Sequence, residues 1–151
     1  GDVYIAGKGG ERFGVRNSGA CGVVEGIGNH GCEYMTQGTI VVLGDIGKNF
    51  GAGMTGGIAY IYSRNRSLKN KLNHDFVYED KLELKDQSLI IRFLRNHVFH
   101  TDSSFGNKIL NNWDKEKIYF KRIKPRAMDI INLDEIYDMH TSNRINVLLN
   151  E

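Results

Sequence analysis

The apolar residues of the first sixty positions come in short runs, not at helical spacing. Val3-Tyr4-Ile5, Val23-Val24, Ile40-Val41-Val42-Leu43 and Ile58-Ala59-Tyr60-Ile61-Tyr62 are rich in β-branched and aromatic side chains, the composition of half-buried strands. Each run is preceded by a turn that ends in glycine. The phrases 16–24, 35–43 and 54–62 are variants of one another, and their glycines Gly19, Gly38 and Gly57 fall 19 residues apart. Met35-Thr36 returns as Met54-Thr55 at the same interval. A fixed period near 20 residues marks a solenoid, whose units bury their apolar faces only by stacking on one another. No stretch between the strands is long enough for a helix of more than about two turns, so the expected fold is mainly β, a parallel β-helix of about 19 residues per coil. Counting Asp2–Ala6 as an opening strand, with Glu11 to Val15 as a further extended piece, about four stacked coils are expected.

The pattern changes after Ser63. From Lys69 to Lys85 it is irregular, with Phe76-Val77-Tyr78 and Leu82-Glu83-Leu84 as short extended pieces. Asp86 is placed to N-cap a helix running to about Val98, with Leu89, Ile90, Phe93, Leu94, His97 and Val98 on one side. Ser103 or Ser104 starts a second helix through Phe105, Ile109, Leu110 and Trp113. Ile118-Tyr119-Phe120 reads as a strand that ends before Pro125. A weaker helical pattern covers Asp134 to Leu149. The expected organisation is Gly-rich coils over 1–63, a linker and helical cap packed on the last coil over 64–125, and a C-terminal extension over 126–151.

Glycine use supports that division. Seventeen of the 18 glycines lie between Gly1 and Gly57, and only Gly106 follows. Charge divides only mildly: residues 1–63 hold four Lys/Arg and five Asp/Glu, and the remainder 16 and 13. Interspersed signs at that level lack the concentrated basic face that nucleic-acid binding needs. Neither a signal peptide nor an apolar run near about 18 residues is present, so a cytoplasmic or organelle-matrix location is expected. An opening strand without a preceding cap or initiator Met reads as part of something longer, and its exposed edge could pair in a homo-oligomer.

Candidate chemistry is sparse. Gly26-Ile27-Gly28-Asn29-His30-Gly31 fits G-x-G-x-x-G, and Asp45 stands where a ribose-binding acid would. A dinucleotide site needs those glycines to open a helix, yet only Cys32–Gln37 precedes the next strand, so coil corners are the expected role. Cys21 and Cys32 with His30 lack the close-paired spacing of a zinc site. His97 and His100 share a helix face but have no carboxylate or thiol at ligand spacing. Arg12, Arg16 and Asn17 flank the first repeat at turn positions. Guanidinium groups there could bind a phosphate or a partner's carboxylate, or satisfy turn carbonyls.

Several runs together are similar to a known family. Gly10-Glu11-Arg12-Phe13, Val15-Arg16-Asn17-Ser18-Gly19-Ala20, Val23-Val24-Glu25-Gly26, His30-Gly31-Cys32-Glu33-Tyr34-Met35-Thr36 and Asn49-Phe50-Gly51-Ala52-Gly53-Met54-Thr55-Gly56-Gly57 resemble the C-terminal domain of the glutamate synthase large subunit. So do His97-Val98, His100-Thr101, Ile109-Leu110-Asn111-Asn112-Trp113 and Lys124-Pro125. The resemblance implies a right-handed parallel β-helix. It also implies a parent enzyme that converts glutamine and 2-oxoglutarate to two glutamates. That enzyme's cofactors are FMN and a 3Fe-4S cluster, and its amidotransferase and FMN domains would be this chain's partners. The catalytic parts of that enzyme have no counterpart in this chain: Gly1 is no Cys nucleophile, and two cysteines cannot supply three cluster ligands. The expectation is therefore a scaffold domain, inactive alone and without a cofactor of its own. Two alternatives remain open here, a stand-alone β-helix subunit docking on separate amidotransferase or oxidoreductase chains, and a nucleotide-binding oxidoreductase using Gly26, Gly28 and Gly31.

Overall fold

A computed structural model describes residues 1–65 and 67–130 of the protein. Four strands stack in parallel through three turns: β1 (Asp2–Ile5), β2 (Ser18–Val24), β3 (Gln37–Val42) and β4 (Ile58–Tyr62). Asp2 pairs with Cys21, and Thr39 with Ile58, each at the 19-residue interval that the repeat predicts. A bulge between Ser18 and Cys21 makes Cys21 pair with Thr39 one residue early. Stacked parallel strands from successive coils define the solenoid.

Side chains alternate across this sheet, as the two-residue period of a strand requires. One row of partners reads Gly22, Ile40, Ala59 and Ile123, and points into the coils. Inside, Cys32, Met35, Phe50, Met54 and Ile46 join them, all fully or almost fully buried. The alternate row, Tyr4, Val23, Val41 and Tyr60, faces the helices. Each fully buried Val, Ile or Leu contributes about 1.5–3 kcal/mol of transfer free energy, so stacking supplies what a single coil cannot.

The first half of each coil is a corner in which alternate residues take positive φ. Arg12, Gly14 and Arg16 do so in the first copy, His30, Cys32 and Tyr34 in the second, and Asn49, Gly51 and Gly53 in the third. Backbone bonds tie these corners together: Arg12 N–H donates to Asn29, His30 N–H to Lys48, Arg16 N–H to Glu33 and Tyr34 N–H to Ala52, at 2.8–2.9 Å. The extended segment expected over Glu11 to Val15 is therefore a corner: a left-handed residue at every second position bends the chain where a strand would run straight. Gly31 sits where its missing Cβ leaves room for the Phe50 ring, which an added Cβ would approach at 2.8 Å.

The tail closes the stack with a strand. After Tyr62 the segment 67–76 runs under the last corner, where Phe50 N–H donates to Lys71 and Asn73 N–H to Phe50. Leu68, Leu72 and Val77 plug the interior. Strand β5 (Val77–Asp80) pairs with β6 (Phe120–Pro125), and β6 pairs antiparallel with β4, giving the sheet order β1-β2-β3-β4-β6-β5. The helices α1 (Leu84–Thr101), α2 (Ser104–Asn111) and α3 (Trp113–Glu116) lie against the outer face of the sheet, with α1 reaching β1 and β2. Helical covering was expected, but over the last coil. The edge of that coil carries unpaired backbone groups, which only another strand satisfies along its length.

Local details also shift. Asp86 is the third residue of α1, because Glu83 is the cap: each of the two side chains accepts the other residue's backbone N–H. Leu82-Glu83-Leu84 is consequently no strand. Ser103 caps α2 by accepting from Gly106 N–H at 2.9 Å. Ile118 and Tyr119 lie in a 3-10 turn, and the strand runs on from Phe120 through Pro125. The helical pattern over Asp134 to Leu149 lies outside the described residues.

Candidate functional site

The first and last positive-φ positions of the corners bring their side chains onto one outer ridge of the solenoid, while Cys32 between them turns inward. There they line an open groove of about 470 Å³ whose walls include Arg12, Arg16, His30, Glu33, Tyr34 and Asn49. Glu33 is its organised centre. His30 Nδ1 donates to Glu33 Oε1 at 2.6 Å and Asn49 Nδ2 donates to the same oxygen at 3.1 Å. Asn49 is in turn held by Asn73 Nδ2 at 2.9 Å. Arg12 and Arg16 are exposed, and neither guanidinium has an ion-pair partner among the described residues. Tyr34 lies over Gly53 of the next coil, where an added Cβ would strike its ring at 2.5 Å.

Asn17 does not join them. Its Oδ1 accepts from Ala20 N–H at 2.8 Å and its Nδ2 donates to Ala20 O at 2.8 Å, which fixes the turn into β2. The glycines of the repeat share its neighbourhood: Gly19, Gly38 and Gly57 have φ of 148°, 102° and 78°. A Cβ on Gly38 would lie 2.2 Å from Ala20 O. Met35 and Met54 are fully buried while Thr36 and Thr55 are exposed.

The remaining candidates are drawn apart. Gly26, Gly28 and Gly31 stand in turns with no helix after them, and pack against Asp45, Glu11 and Phe50 of neighbouring coils. Cys32 is interior, where burial pushes its thiol up to about 12. His30 faces Glu33, so it does not converge with the cysteines. No group of three metal-ligating side chains stands among the described residues. His97 is fully buried and donates from Nε2 to Glu25 Oε1 at 3.1 Å, and Ser103 donates to the same oxygen. His100 stacks on Tyr4 at 5.2 Å. The pair therefore fastens α1 to the first coils.

Sequence reasoning missed Glu33, Tyr34 and Asn49. Setting Arg12, His30 and Asn49, and then Arg16 and Tyr34, at 18- to 19-residue steps would have aligned them.

Among the described residues no helix is long and apolar enough to cross a membrane. A Gly-turned parallel solenoid, closed by a strand and flanked by helices, is the class of protein that these features define. Residues 1–126 match the GXGXG motif family, and the chain belongs to that family. It is 46% identical over 128 residues to the NADPH glutamate synthase large chain of Bacillus subtilis strain 168, covering 83% of this chain and 8% of that one. It is 44% identical over 134 residues to a ferredoxin-dependent glutamate synthase of Antithamnion sp., covering 88% and 9%. With the chloroplastic ferredoxin-dependent enzyme of Spinacia oleracea it shares 40% over 144 residues, covering 94% and 9%. The chain thus spans less than a tenth of these relatives.

Proposed function

We propose that this chain is the β-helix domain of a glutamate synthase large chain, and that it is a non-catalytic scaffold there. The carrying observation is that the three stacked turns and their closing strand fill the segment shared with those large chains. In the parent enzyme the coils would hold an amidotransferase domain and an FMN domain in register while glutamine and 2-oxoglutarate become two glutamates. A cytoplasmic or organelle-matrix location goes with that role.

The residues present do not fit the parent's cofactors. A 3Fe-4S cluster takes three thiolates, whereas one of the two cysteines here is buried inside the coils with its thiol held protonated. A flavin barrel has no counterpart in an open six-stranded sheet. Coils 1–63, a cap over 64–125 and an extension after it remain the division that we propose.

The test is to purify the chain and assay glutaminase activity, glutamate formation and bound flavin, with light scattering on the same sample. A folded, inactive particle is expected, and a dimer would fit pairing through an edge strand, β1 or β5, each with one strand partner among the described residues. Turnover or stoichiometric flavin would overturn the scaffold reading. An upstream reading frame running through flavin-barrel sequence supports a domain, and its absence would favour a stand-alone subunit.

A further inference from the structure

Left-handed backbone is cheap for Gly, tolerable for Asn and strained for other residues. The third corner obeys this economy with Asn49, Gly51 and Gly53. The first and second corners do not. Arg12 and Arg16 hold φ of 60° and 56°, and Tyr34 holds 56°, at ladder positions where the third corner has Asn49 and Gly53. Neither guanidinium makes an ion pair or hydrogen bond among the described residues, and Tyr34, whose ring rests on Gly53 of the next coil, is still 58% exposed. At the two arginines the strain is kept without an internal side-chain partner, and it points outward.

The groove's chemistry names what it would meet. Two guanidinium groups, four residues apart and unpaired among the described residues, line the groove with a single carboxylate, Glu33, whose Oε1 accepts from His30 and Asn49. That leaves unmatched positive charge beside an exposed aromatic ring. Arginine prefers carboxylates, in forked pairs, and Arg and Tyr are the residues that carry binding energy at protein interfaces. A small ligand would need most of its surface enclosed, which an open ridge does not offer.

We propose that Arg12, Arg16 and Tyr34 form a docking surface for an acidic segment of a neighbouring protein domain, whose Asp or Glu side chains pair with the two arginines. The choice of a neighbouring domain rests on the scaffold reading; the charge and strain argument does not.

The test uses the 151-residue chain and a hexaglutamate peptide, followed by NMR of backbone amides and arginine side-chain N–H groups at physiological salt. Saturable shifts confined to Arg12, Arg16 and Tyr34 are expected. The double variant R12G/R16G should weaken binding by about tenfold or more with an unchanged or higher melting temperature, because Gly relieves the left-handed strain. Shifts spread equally over Lys81, Lys117 and Lys121 would mean unspecific charge attraction and overturn the proposal. The same shifts with free glutarate would replace the docking surface by a small-carboxylate site. No shift at all also overturns it. These outcomes are independent of the enzymatic assay, so either reading can fail alone.

Discussion

The coils and the tail solve the same problem by opposite means. Residues 1–62 stack by backbone ladders and glycine corners, and their interior is apolar. The tail instead fastens itself to the sheet with buried polar groups. Arg122 on β6 donates from Nη1 to Asp86 Oδ2 at 2.8 Å and from Nη2 to Asp80 Oδ2 at 2.5 Å. Tyr60 donates to the other oxygen of Asp86 at 2.5 Å. Tyr62 donates to Glu116, which Arg64 also holds at 3.2 Å. The difference teaches where each part is fragile. Steric intrusion threatens the coils, and loss of charge balance threatens the tail.

The largest effect should come from intrusion. Gly38→Val puts a β-branched side chain at φ of 102°, with its Cβ 2.2 Å from Ala20 O and 2.8 Å from Asn17 Nδ2. Backbone strain and overpacking together predict a loss of about 4 kcal/mol or more, measured by urea unfolding. A midpoint unchanged from the parent chain would remove the case for glycine-enforced stacking.

Next comes Arg122→Leu, which takes the guanidinium from Asp86, only 3% exposed, and from half-buried Asp80, leaving Asp86 its charge but only the neutral donors Tyr60 and Glu83 N–H. Removing one partner of a buried pair costs about 3–5 kcal/mol. The coils should be spared: hydrogen exchange at β2 and β3 is expected to stay slow while α1 and β5 open. Uniform loss of protection would mean that the two regions are one cooperative unit.

How much of this contrast could be read from the chain is uneven. The period was legible because Gly19, Gly38 and Gly57 sit at equivalent points. The alternating corner was not, since only the third copy fills it with residues that advertise positive φ. Arg12, His30 and Tyr34 give no such signal. Ser103 was legible as a cap because its side chain bonds locally. Asp86 was misplaced by three residues: Glu83, an uncommon cap, exchanges backbone bonds with it locally, while its other partners Tyr60 and Arg122 lie 26 and 36 residues away, where no local pattern reports them. The groove was half legible. Arg12 and Arg16 stood out as charges in turns, whereas Glu33 and Asn49 needed the stacking register.

A smaller effect sharpens the comparison by pH. The hydrogen bond from Arg122 holds Asp80 below the usual carboxylate range, and the Lys124 ammonium does the same for Asp129. A depressed folded-state pKa means stability that is complete above the ordinary carboxylate pKa and is lost as pH falls through the folded value. Stability should therefore decline below about pH 4, and the decline should be shallower in Arg122→Leu, whose Asp80 is already released. Equal slopes in the two proteins would place the acid sensitivity elsewhere.

The smallest perturbation reads the coils directly through their two thiols. Cys21 is half-exposed on the helix-facing side of β2, whereas Cys32 is fully buried between coils. Desolvation raises the Cys32 thiol to about 12, so near neutral pH it is neither accessible nor ionised, and the thiolate is the reacting form. A disulfide reagent at pH 8 should therefore titrate Cys21 alone in the native chain, and both thiols once urea unfolds it. Raising the pH from the ordinary thiol range toward 12 should destabilise the fold, because Cys32 ionises first in the unfolded chain. In Gly38→Val, early reaction of Cys32 without denaturant would show that one intruding side chain opens the stack from its corner. If Cys32 stays silent in that variant until the helices melt, the corner and the tail open together, and the division between them is one of chemistry but not of cooperativity.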